Sequence, residues 1–332
     1  MNIRPYVVRE RRTMTKPDRI DAAFTATDLK TGTADNTFAG ALSFMRRKYT
    51  TDLTGVDAVV WGIPFDAATS NRPGTRFGPQ GIRRASAGMD NDPQYPFGSR
   101  IFDEIAVIDY GDCAFDYGYN DKVPALIEAQ ASHIINAPSS PYLLTLGGDH
   151  FVTWPLLKAH AEKHGPIALV QFDAHQDTWD DDGKRVDHGT FISRAVKDGI
   201  IDPKKSIQVG IRTVATDDCG IEIIDALTAH EMKATEIAER IYARTGGKNV
   251  YLTFDIDCLD PAFAPGTGTP VSGGFSMAQV QLILRQLKNL EIIGSDVVEV
   301  SPAYDHADIT SIAGANVAMF MLGLLAQRPR GS

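Results

Sequence analysis

Short runs of apolar and β-branched residues recur along this chain with helix-patterned stretches between them, and that alternation restricts the possible folds more than any other feature. The runs are DAVVWGI from Asp57, IAVIDYG from Ile105, YLLTLGG from Tyr142, IALVQFD from Ile167, SIQVGIR from Ser206, VYLTFDID from Val250 and EIIGSDVVEV from Glu291. Helices are predicted over Lys122–Asn136, Thr153–Lys163, Phe191–Lys197, Ala234–Arg244, Ser276–Leu287 and Ile312–Ala326. Strands that are apolar on both faces need cover on both faces, which points to a mainly parallel sheet with helices on either side. The expectation is an α/β protein: a single three-layer αβα domain over residues 21–332, preceded by a basic, flexible tail over 1–20. In such sheets ligands bind beyond the carboxyl ends of the strands, so the residues that end each run carry the functional signal.

Three of the runs end in side chains suited to metal. The first ends Gly147-Gly148-Asp149-His150, the second Asp173-Ala174-His175-Gln176-Asp177 and the third Asp255-Ile256-Asp257. On extended backbone alternate residues share a face, which would bring Asp173, His175 and Asp177 together, and likewise Asp255 with Asp257. Crowded carboxylates repel unless a cation joins them. His150, Asp173, His175, Asp177, Asp255 and Asp257 thus form a candidate set of four carboxylates and two imidazoles. Its charge matches two divalent cations, and its oxygen-rich chemistry suits Mn²⁺, with zinc, cobalt and nickel left open. Two such ions close together would ionise a bridging water near neutral pH and make it a nucleophile, which implies hydrolysis.

The same segments carry a resemblance. GGDH, DAHQD and DIDCLDP, in this order, are similar to the signature motifs of the ureohydrolase family, which includes arginases and agmatinases. WGIPFD at Trp61, NRPGTRFGPQGIR at Asn71, DHGTF at Asp187, VGIRT at Val209, DPAFAPGTGTPVSGG at Asp260 and VVEVSPAYD at Val297 extend it over about Val56 to Leu325. The set most resembles the bacterial agmatinases of that family. The resemblance implies an arginase-like fold and two Mn²⁺ per subunit. One ion would be held by His150, Asp173, Asp177 and Asp255, the other by Asp173, His175, Asp255 and Asp257, with Asp149 and Asp260 as supporting neighbours. It also implies that His188 passes a proton to the leaving amine and that Glu299 grips the guanidinium. The expected reaction is hydrolysis of a guanidino compound to an amine and urea, foremost agmatine to putrescine, a step of polyamine biosynthesis. The family is usually oligomeric, so a homo-oligomer, trimer or hexamer, is expected.

Composition narrows the partners. A net charge of -9 argues against a phosphate backbone as partner. The cysteines Cys113, Cys219 and Cys258 are widely spaced with no CxxC, which fits a reducing cytoplasm. The apolar stretch VAMFMLGLLA is short of a membrane span and reads as a buried helix. The opening MNIRPYVVRERRT lacks a signal-peptide core and leaves open a tail, a presequence or a true start at Met14.

The loop TWDDDGKRVDHG, between a candidate ligand and His188, is expected to line the entrance. Asp180, Asp181, Asp182 and Asp187 there outnumber Lys184 and Arg185, an acidic rim that would favour a cationic tail such as agmatine's. A guanidino acid, 4-guanidinobutyrate or 3-guanidinopropionate, is the alternative, because Arg72 or Arg76 could reach a carboxylate. A noncatalytic metal-binding relative is disfavoured by the intact set of candidate residues. His133, His160, His164, His230 and His306 read as structural or surface residues, with His306, which follows SPAYD, the one that could stand near the pocket.

Overall fold

The structure is a computed structural model that describes residues 22–26, 28–30, 37–89 and 93–328. The tail expected over 1–20 lies outside them. Nine strands form one sheet in the order β1-β3-β2-β4-β9-β8-β5-β6-β7. They are β1 (Lys48–Tyr49), β2 (Ala58–Gly62), β3 (Val107–Asp112), β4 (Tyr142–Leu146), β5 (Ala168–Phe172), β6 (Ile207–Ile211), β7 (Glu222–Asp225), β8 (Val250–Asp255) and β9 (Ile292–Val298). Every strand pairing is parallel, so all carboxyl ends lie on one side.

Alternation along the strands feeds two separate cores, one on each face. Ala58 and Val60 of β2, Leu144 and Leu146 of β4, and Val250, Leu252 and Phe254 of β8 pack with the helices Ala234–Thr245, Met277–Leu284 and Ile309–Ala326. Val59 and Trp61, Leu143, and Tyr251 point the other way, against Val123–Ile135, Thr153–His164 and Phe191–Lys197. The expected three layers follow. All seven predicted runs contain strands.

The differences have local causes. β1 and β7 sit at the two edges, where short, polar, half-exposed strands carry little apolar signal. The helix Gly78–Ser86 was hidden by its GPQG start, which reads as a turn. Its first glycine is needed, because a Cβ there would come within 2.6 Å of the Val300 carbonyl oxygen. The C-terminal helix begins at Ile309 rather than Ile312, since the Asp305 carboxylate accepts the N–H groups of Thr310 at 2.9 Å and Ser311 at 3.0 Å. At 18 residues it is long and apolar enough to cross a membrane by length and composition, but 72% of it is buried inside the protein.

Candidate metal centre

Each of the three motif-bearing strands ends in the same small device. A strand-end aspartate accepts the backbone N–H of the residue two places on: Asp149 from Phe151 at 3.2 Å, Asp173 from His175 at 2.6 Å, and Asp255 from Asp257 at 2.8 Å. These side-chain turns bend the chain out of the sheet. The extended alternation expected over 173–177 therefore does not occur: β5 stops at Phe172, and Asp177 takes a left-handed backbone with φ of 51°. Convergence is achieved by turns. Glu299, just beyond β9, is left-handed too, with φ of 63°. Two non-glycine residues in that sparsely populated region at one site mark a backbone bent for function.

The turns bring all six candidate residues together. His150 Nδ1 lies 3.0 Å from Asp173 Oδ2, 3.0 Å from Asp177 Oδ2 and 3.2 Å from Asp255 Oδ2. His175 Nδ1 lies 3.0 Å from Asp257 Oδ2 and 3.5 Å from Asp173 Oδ1. Potential ligand atoms of His150, Asp173 and Asp255 fall within 4.8 Å of one another, as do those of Asp173, His175 and Asp257, so Asp173 is common to both groups.

The first histidine is set for coordination. Thr253 Oγ1 donates to Asp296 Oδ1 at 2.5 Å and so must accept from His150 Nε2, 2.8 Å away. This assigns the proton to Nε2 and leaves the Nδ1 lone pair aimed between three carboxylates, where it has no hydrogen-bond partner. Asp296 in turn accepts from Thr153 and Tyr251, both at 2.9 Å. A buried, unpartnered nitrogen facing three carboxylates fits a cation.

Electrostatics agree. Burial raises Asp177, and the charge of Asp173 adds to it, up to about 6. Burial and the charges of Asp257 and Asp173 push Asp255 well above the carboxylate range. Burial would raise Asp173 as well, but the adjoining imidazoles of His150 and His175 outweigh it and hold that group low. For His175 burial acts to lower the value, yet Asp257 and Asp173 raise it to about 12. The site has surplus negative charge that draws in positive charge.

Sequence reasoning missed several supporting residues. Gln171 donates to Asp173 Oδ2 at 2.7 Å and accepts from Gln208 at 2.7 Å. Thr269 donates to Asp257 Oδ2 at 3.2 Å. Arg212 ties the third turn to the segment carrying Thr269, donating to the carbonyls of Asp257 at 2.5 Å and Val271 at 2.8 Å. Of the expected neighbours, Asp149 accepts from Ala68 at 2.8 Å, and Asp260 pins its own loop through Ala262, Gly273 and Gly274.

Beside the cluster lies a cavity of about 370 Å³, lined by His175, Asp177 and Asp255 of the cluster and by Ser70, Trp179, Arg185, Asp187, His188 and Thr269 among others. His188 bridges two elements rather than making local bonds. Its Nδ1 lies 2.8 Å from Glu299 Oε1, and its Nε2 faces the Ser70 N–H at 3.1 Å and hydroxyl at 2.8 Å. Burial lowers its pKa, but Glu299 raises it to about 9. Glu299 is buried behind His188 and does not itself line the cavity; Oε1 also accepts from the His150 N–H at 2.9 Å, while Oε2 has no partner among the described residues.

The acidic rim is corrected. Asp181 is buried against Arg194, Asp180 and Asp182 do not line the cavity, and Asp187 lines it together with Arg185. Arg76 is held by Asp66 at 2.5 Å and Arg72 stacks over Tyr304, so neither lines the cavity. His306 is exposed and also off it, whereas His160 is buried.

Comparison with known proteins finds named relatives of the chain as a whole. The sequence model of the Arginase family matches residues 56–323. An agmatinase of Chromobacterium violaceum is 49% identical over 312 residues, which is 93% of this chain and 96% of that protein. An agmatinase of Neisseria meningitidis is 46% identical, over 81% of this chain and 87% of its own. Among solved structures, a hypothetical agmatinase from Burkholderia thailandensis superposes with a TM-score of 0.91 at 52% identity, covering 93% of this chain and 98% of that one. A proclavaminate amidino hydrolase from Streptomyces clavuligerus gives 0.82 at 37% identity, covering 88% and 99%.

Proposed function

The chain belongs to the arginase family, and from that membership we propose that it is a binuclear manganese agmatinase, hydrolysing agmatine to putrescine and urea. The observation that carries this reading is Glu299 Oε2, a buried carboxylate oxygen with no partner among the described residues, whose other oxygen touches the His150 N–H and His188. A guanidinium is the planar donor such an oxygen accepts. We assign His150, Asp173, Asp177 and Asp255 to one ion and Asp173, His175, Asp255 and Asp257 to the other. When bound, the ion pair supplies Lewis acidity and brings the pKa of water near neutrality.

The chain's own residues do the rest. Glu299 orients the guanidinium. His188 holds the proton for the departing amine. Ser70 supports both of its states: the backbone N–H donates to the neutral ring, and the hydroxyl can accept from the protonated one.

Agmatine as substrate draws on the relatives' names, while Arg185 on the cavity wall is the one observation that favours a guanidino acid. Urea release by Mn²⁺-loaded protein from agmatine, 4-guanidinobutyrate, 3-guanidinopropionate and arginine, each supplied alone, separates them. Preference for agmatine is expected; preference for a guanidino acid overturns the substrate assignment. The same reading places the enzyme in the cytoplasm, where its three free cysteines stay reduced, and as a homo-oligomer, which light scattering tests.

A further inference from the structure

The loop between Trp179 and His188 uses most of its acids to build itself. Asp181 forms a two-pronged pair with Arg194, at 2.9 Å and 2.6 Å, and Arg194 donates onward to the carbonyl of Arg185. Asp182 Oδ1 accepts the N–H groups of Lys184 at 2.9 Å and Arg185 at 3.0 Å. The backbone at Arg185 is thus fixed from both sides, whatever its side chain does.

That side chain, 57% exposed, closes on the carboxylate of Asp187. Asp187 Oδ1 is already held by the Gly189 N–H at 2.9 Å, so Oδ2 is the oxygen that can change partner. Both residues line the cavity that leads down to Asp177, Asp255 and His188. A fixed loop therefore hangs one exchangeable ion pair over the wall of the site.

We propose that the Arg185–Asp187 pair is the specificity clamp for the far end of the substrate: Asp187 Oδ2 receives an ammonium tail, and the Arg185 guanidinium swings out to release it. This rests on the agmatine reading and adds the residues that read the tail. Exposed ion pairs are weak and screened by salt, so a substrate anchored at its guanidinium end can displace one. The exchange is cation for cation. Arginine keeps its charge, and Asp187 is never left unpaired. A carboxylate tail could pair with Arg185 but would set Asp187 against a like charge, a repulsive element that favours the ammonium. Asp187 also directly precedes His188 and caps the turn that begins there, so capture of the tail steadies the proton-handling residue.

The test is steady-state urea release at low salt by Mn²⁺-loaded protein and its variants. Arg185→Gln removes the competing cation and leaves the backbone contacts in place. We expect its KM for agmatine to fall about fivefold with kcat little changed, an advantage that disappears in high salt. Asp187→Asn keeps an oxygen for Gly189 but loses the charge, so KM for agmatine should rise about tenfold. In that background Arg185→Gln should have no further effect, because the pair no longer exists. An unchanged or higher KM in Arg185→Gln, or additive effects in the double variant, overturns the clamp. Failure of the substrate reading is visible separately, in wild-type protein that releases urea from 4-guanidinobutyrate and not from agmatine.

Discussion

Thr253 does not line the cavity beside the cluster, yet it sets the chemistry of His150. By donating to Asp296 it can only accept from the imidazole, so the other ring nitrogen is left as a lone pair. Thr253→Val should weaken Mn²⁺ binding by about 10–100-fold, measured by competition with a chelator, while activity returns at saturating metal. Asp296 would keep its bonds from Thr153 and Tyr251, so the fold should survive. The acids and imidazoles of the site were legible in the sequence because they cluster where apolar runs stop. Thr253 and Gln171 were not, because a lone polar residue inside a strand looks like noise. A usable signal did exist: each stands two residues before a candidate ligand, Asp255 and Asp173, and so shares its face of the strand.

At the scale of elements, the strand ends matter more than the strands. The GG before Asp149 is one such end. A Cβ on Gly148 would lie 1.7 Å from the Phe65 carbonyl oxygen, and the Gly148 carbonyl accepts the Glu299 N–H at 2.8 Å. Backbone cannot yield as a flexible side chain can. Gly148→Ala should therefore cost about 3 kcal/mol in urea denaturation, and kcat should fall as well because Glu299 is displaced. Central strands were readable since both of their faces are apolar, whereas the edges β1 and β7 were not. Periodicity also could not foresee that Asp173 and Asp255 turn the chain through their own side chains. Alternation brought the right residues to mind for a geometry they do not adopt.

Over the whole molecule, the candidate metal centre concentrates buried charge at the carboxyl ends of the central strands. Asp173, Asp177, Asp255 and Asp257 are all buried, and without cations they repel one another. Removing metal with EDTA should lower the melting temperature by about 10 °C in scanning calorimetry, and Mn²⁺ should restore it. An unchanged melting temperature would sink the two-ion reading. Sheet order has a further consequence, for biosynthesis. β9, the last of the described strands in chain order, is the one that joins β4 to β8 at the centre of the sheet. Until Ile292–Val298 has emerged, His150 on one half-sheet has no framework that holds it against Asp173 and Asp255 on the other. A nascent chain stalled before that strand would carry all six candidate ligands and still have no place to keep an ion, so metal loading has to wait for β9.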